Sequence, residues 1–256
     1  MEALIPCSIL GLAGWWWLLR RAARTGGGRA PAGQWRMGDA FFAGTIALYF
    51  IFVIVADSGE QRTLKSGDIR GTVIFIAIAV LLVIGVVSSR GRSLQAAFGL
   101  SPDRPLRVVA IGVACIALTY PVVELAVLLA TNLGGAVNEN DEMMRYFRSA
   151  LPIGDRAWVI VLVVVAAPFF EELVFRGLLY GVAKHYVGRV GAALTIALLF
   201  AAVHMNLPAM PAYFLLGIAL TLAYEITGSL WASVVMHMLF NSIPVVAILW
   251  FPKWIQ

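Results

Sequence analysis

The stretch AWVIVLVVVAAPFFEELVFRGLLYGV, Ala157–Val182, decides the fold. It opens on branched apolar residues and then carries Pro168, Glu171, Glu172 and Arg176 inside an otherwise apolar run. As a helix at 1.5 Å per residue it reaches ~39 Å, more than the ~30 Å hydrocarbon core of a bilayer. Working outward, runs of similar character occupy 3–19, 40–56, 71–88, 107–131, 190–206, 207–227 and 229–251, with the break at 206–208 the weakest. Of the 256 residues 61% are hydrophobic and 13% charged, and the mean hydropathy is +0.88, more apolar material than one soluble core needs. A bilayer offers no water to unpaired backbone groups, and alternating strand patterns are absent, so each run is expected to be a helix. The fold class is all-α: a polytopic integral membrane protein of about eight transmembrane helices. Residues 1–156 form the N-terminal helices and loops, and 157–251 form a four-helix core.

The loops add an orientation. Counted by Lys and Arg, the loops after the first, third and fifth runs hold eleven and the opposite side seven, so the odd-numbered loops are expected inside and both termini outside. Thr25–Gly33 reads as a flexible connector, Asn138–Arg148 as a polar outer loop, and Arg92–Pro105 as a short interfacial helix. Cys7 and Cys115 lie in different runs without metal-ligand spacing and are read as packing residues. The first run ends in Trp15–Trp17, Arg20 and Arg21 and lacks a basic leading region and a small-residue cleavage site, so it is read as retained. The net charge of +5 is spread over loops that flank the membrane, and no nucleic-acid signature accompanies it. His185, beside Lys184, is read as solvated.

Ionisable groups at membrane depth are costly, by about 2.5–3.5 kcal/mol on insertion scales, and call for a function. On a helix Glu172 and Arg176 are four residues apart, about 40° around the axis, whereas Glu171 and Arg176 differ by about 140°. Glu172 therefore pairs with Arg176, which has a purely structural reading, mutual neutralisation. Glu171 is left needing a reason. Further on, Phe200 with His204 and His237 with Asn241 are each four apart, on one helical face. Counted from the loops on the shared side, Glu171 is ~20 Å deep, His204 ~22 Å, His237 ~14 Å and Asn241 ~20 Å, so ordinary tilts let them meet. A lone histidine in a span more often packs than reacts; the common depth argues otherwise here.

An unpaired carboxylate, two imidazoles and an amide in a site of low dielectric suit water activation: a glutamate as general base, His204 helping to hold and polarise the water, His237 and Asn241 donating to an oxyanion. Amide hydrolysis fits better than redox or phosphoryl transfer, since no Gly-rich phosphate loop is present. There is no HExxH motif and no nucleophile elbow around Ser229, Ser233 or Ser242. Gly-Asp pairs at Gly38-Asp39, Gly67-Asp68 and Gly154-Asp155 fall in or near loops, which argues against a buried aspartate pair.

At these residues the sequence resembles the CPBP family (CAAX protease and bacteriocin-processing, or Abi) of glutamate-dependent intramembrane endopeptidases. The family pattern EExxxR, FxxxH, HxxxN appears in order as EELVFR at Glu171–Arg176, FAAVH at Phe200–His204 and HMLFN at His237–Asn241. The resemblance covers roughly 157–245 and implies a catalytic core in which Glu171 and His204 activate water. It further implies that His237 and Asn241 form the oxyanion site, supported by Glu172, Arg176 and Phe200. It implies a membrane-associated substrate, prenylated (CAAX-type) or another leader or sorting tail, and a place in a prokaryotic cell membrane. No cofactor is favoured; if zinc is used, its ligands by type are Glu171, His204 and His237. The rival readings are a proton-coupled transporter, using Glu171, Arg176 and the histidines as a pathway, and a non-enzymatic immunity or scaffold protein. Loss of cleavage with Glu171→Ala separates the first reading from both.

Overall fold

Apolar runs with no water to bond their backbone become helices, and the computed structural model has no strand among the residues it describes, 4–24, 29–31, 35–56, 65–100, 104–133, 146–147 and 152–250. The helices are α1 (Leu4–Arg24), α2 (Met37–Ala56), α3 (Ser66–Ser89), the short α4 (Leu94–Phe98), α5 (Pro105–Asn132), α6 (Ile153–Ala202), α7 (Met210–Thr227) and α8 (Leu230–Trp250). Among the described residues six of them, α2, α3 and α5 to α8, are long and apolar enough to cross a membrane. The protein is a multi-pass membrane protein. Its lipid-facing surface is plain in Leu48, Phe52 and Leu81, each 67% exposed.

The described residues give six such helices where eight apolar runs were expected, for two reasons. First, the fifth and sixth runs are limbs of the 50-residue α6, which if straight would extend ~75 Å, well beyond a bilayer. Gly188, at φ 74° and ψ 172°, interrupts it, a conformation that residues with a Cβ avoid. The rings of Phe175 and Phe200, nearly equidistant in sequence from Gly188, meet edge to face at 5.4 Å, so the chain doubles back there. Second, α1 is helical but not among the six, because three tryptophans and Arg20, Arg21 and Arg24 dilute its apolar run.

Helix α1 lies against α5: a Cβ on Gly11 would come within 2.5 Å of the Leu118 carbonyl oxygen, so only glycine permits this approach. Ser8 Oγ donates to the Pro121 carbonyl at 3.0 Å, and Trp15 Nε1 to Thr119 Oγ1 at 3.2 Å. One hydrophobic core then runs from Trp15 and Leu18 through Phe98, Phe175 and Leu220 to Val234. The expected interfacial helix is α4, capped by Ser93, whose Oγ accepts from Ala96 N at 3.1 Å, and closed by left-handed Gly99. Near its start, Asp39 is held by Arg90 and Arg92. Cys115 is buried as expected, whereas Cys7 is exposed on the outer face of α1. Thr25–Gly33 and Asn138–Arg148 lie largely outside the described residues.

Candidate active site

The site begins with a slip in helix register. Residues Val161–Ala166 are π-helical, and the Ala167 N–H donates to the Leu162 carbonyl, five residues back. In that register the next carbonyl, Val163, faces Pro168, which has no N–H to give. Asn241 of α8 supplies the missing donor, its Nδ2 reaching the Val163 oxygen at 3.0 Å. A short α-helical piece, Ala167–Glu172, follows and carries both glutamates. A second π-helical stretch, Leu173–Tyr180, carries Arg176. Such stretches are rare and concentrate at functional sites.

Glu172 and Arg176 have fully buried side chains and pair at 2.9 Å between Oε1 and Nη1, as their spacing predicts. Arg176 also donates to the Gly217 carbonyl at 3.3 Å, and its guanidinium lies over the Phe200 ring, 4.3 Å from the centroid. The same Glu172 oxygen bonds His237 Nδ1 at 2.9 Å. A carboxylate paired with arginine only accepts, so Nδ1 carries a proton and the ring's Nε2 is turned away from Glu172. That Nε2 faces Glu171 Oε2 at 3.8 Å. Glu171 Oε2 has no hydrogen-bond partner among the described residues, and its side chain remains 26% exposed while Glu172 is closed off.

His204 is corrected in place. The helix ends at Ala202, and His204 lies in the following turn, ahead of Met205 at φ 48°. Its Nδ1 donates to the Phe200 carbonyl, 2.7 Å away, an acceptor left open by the helix end. The ring stacks on Tyr213 of α7 with centroids 4.2 Å apart, and Phe200 separates it from His237, at 4.7 and 5.7 Å between centroids. Both histidines are thus fixed with Nδ1–H, each through a different partner.

All seven residues singled out from sequence therefore gather around Phe200 and the α6–α8 contact. Asn241 has one of its two N–H groups committed to Val163, and His237 is oriented by Glu172 toward Glu171. The zinc set does not assemble: among the described residues no three His, Cys, Asp or Glu side chains group to hold a metal. The parts that sequence reasoning missed are the Gly217 and Val163 carbonyls and Tyr213. Pro168 was the available signal for Val163, because a proline in a helix strands a carbonyl; nothing local marked Gly217. Lys184, counted in the basic loop after the fifth run, is on α6 and bonds the buried Glu225 at 2.6 Å.

With this geometry in hand, comparison with known proteins can be read beside it. Residues 153–243 match the family described as Type II CAAX prenyl endopeptidase Rce1-like, and the resemblance drawn from the three motifs is borne out over that stretch. Among particular relatives, the membrane-embedded CAAX protease MroQ of Staphylococcus aureus (strain USA300) is 29% identical over 135 residues, 50% of this chain and 53% of that protein. YdiL of Bacillus subtilis (strain 168), named as a candidate membrane peptidase, is 23% identical over 112 residues, 44% of each chain. The chain thus spans about half the length of these relatives. No solved structure matches.

Proposed function

We propose that the chain is an intramembrane endopeptidase that hydrolyses a peptide bond of a membrane-associated protein with water activated by Glu171. The observation that carries this reading is the buried Glu171 Oε2, which accepts no hydrogen bond among the described residues and faces His237 Nε2 at 3.8 Å, with the far side of His237 fixed by the buried Glu172–Arg176 pair. A water 2.8 Å from both atoms would subtend roughly 85° between them, near the angle of its own two O–H bonds. It donates to both acceptors and turns a lone pair toward the substrate. Glu171 takes one proton as the C–O bond forms, then returns it to the amide nitrogen as the C–N bond breaks. Nδ1 of His204 is committed to Phe200, so its Nε2 is left as an acceptor for a substrate N–H, and the second N–H of Asn241 is the donor for the oxyanion. In this reading residues 157–251 hold the chemistry and 1–156 wall it. Substrates near a prenylated C-terminus fit the family description.

The test is to incubate purified wild type with prenylated C-terminal, leader and sorting-tail peptides and read the products by mass spectrometry. Cleavage at a defined bond supports the reading. A folded protein that cleaves none of the three classes moves the transporter and scaffold readings ahead.

A further inference from the structure

Away from the catalytic groups, a cavity of about 360 Å³ opens where the end of α1, the start of α5 and the α7–α8 turn converge. That volume is within the range of small-ligand sites, about 300–1,000 Å³. Four arginines line it, Arg21, Arg29, Arg104 and Arg107, and among the described residues no acidic side chain does. None of the four is ion-paired with a described carboxylate. Four guanidinium groups around one concavity repel each other unless an anion joins them, and Arg is the side chain whose planar fork suits phosphate oxygens.

The rest of the cavity says which anion. One side of its wall is apolar, formed by Val108, Ile111 and Ile226, and the other carries the neutral polar Gln95, Thr227 and Ser229. Its depth is set by the aromatic belt beside it: Trp16 and Trp17 are exposed, with Arg20 and Arg21 over their rings at 3.5 and 5.4 Å. Tryptophans of this kind lie at headgroup level. Arg29 is held in place by its backbone N–H, which donates to the Glu225 carbonyl at 3.0 Å. Next to it the Ala30 carbonyl accepts from Lys184 Nζ at 3.0 Å, and that same amine bonds Glu225, which also accepts from Tyr180 at 2.5 Å. The buried Lys184–Glu225–Tyr180 cluster thus anchors the segment that presents Arg29. The start of α5 adds its positive dipole end.

We propose that this cavity binds a phosphate-bearing anion, and that its occupant is the headgroup of an anionic phospholipid whose glycerol and upper acyl carbons lie along Val108, Ile111 and Ile226. It is separate from the Glu171 site and does not depend on it. In the test, the full chain in a neutral detergent is given phosphatidylglycerol, phosphatidylcholine or millimolar inorganic phosphate, and retained ligand is measured by native mass spectrometry. Phosphatidylglycerol is expected to bind at least tenfold more tightly than phosphatidylcholine and to resist displacement by inorganic phosphate. Each basic contact near a membrane surface is worth about fivefold, so Arg104→Gln with Arg107→Gln should weaken phosphatidylglycerol about 25-fold. Arg20→Gln, outside the cavity, should leave it unchanged. Both substituted side chains are exposed, so the variant should fold; if its elution profile fails, Arg29→Gln replaces it, with about a fivefold loss expected. Equal binding of the two lipids, unchanged binding in the cavity variant, or displacement by inorganic phosphate would each overturn the lipid assignment, the last in favour of a free-phosphate site.

Discussion

Arg176→Met removes the cation that neutralises Glu172 where neither side chain touches solvent. Breaking a buried pair from one side costs about 3–5 kcal/mol, because the other charge is left behind. The lost bond to the Gly217 carbonyl adds about 1 kcal/mol. The single variant should therefore be destabilised by about 4–6 kcal/mol, a rise of roughly a thousandfold or more in the unfolded population. Adding Glu172→Gln removes the stranded charge while leaving an amide oxygen to accept from His237 Nδ1, so the double variant should recover about 3 kcal/mol. The assay is a double-mutant cycle of reversible unfolding in micelles, followed by helical circular dichroism. A double variant no more stable than Arg176→Met alone would refute the reasoning, since the penalty would then owe nothing to an uncompensated carboxylate.

Asn241→Leu should cost about 1–3 kcal/mol by orphaning the Val163 carbonyl, and Pro168→Ala, which restores an N–H opposite that carbonyl, should soften the loss. Equal penalties in both backgrounds, measured by the same unfolding assay, would show that Asn241 is not capping it. Gly188→Ala meets no atom within 4 Å but forces a Cβ into φ 74°, so a loss of about 1–3 kcal/mol in thermal unfolding is expected from backbone strain alone. Tyr213→Leu should reduce cleavage through the placement of His204, raising KM less than it lowers kcat; an unchanged kcat would release Tyr213 from that role.

Much of this was legible in the chain. Apolar length marked nearly every helix, and the four-residue spacing of Glu172 and Arg176 named their pair before any coordinates. The spacing also left Glu171 without a partner on its own helix, and its Oε2 accepts no hydrogen bond among the described residues. What sequence could not show came from departures from ideal helix geometry. The π-helical slips around Pro168 turn Asn241 toward a backbone carbonyl. Helix termination at Ala202 puts His204 in a turn. Each depends on which backbone group loses its bond, and periodicity counting assumes that none does. The bond between Glu172 and His237 spans 65 residues, a tertiary pairing that no local pattern encodes.

The central claim is tested most directly by Glu171→Gln, which keeps size and polarity but cannot take a proton. With equal amounts of folded protein, single-turnover cleavage of a substrate peptide that the wild type processes should fall by about a hundredfold to ten-thousandfold. Because Glu171 Oε2 has no partner to lose, thermal stability should change little. Cleavage within a fewfold of wild type would contradict the account and remove Glu171 from the chemistry.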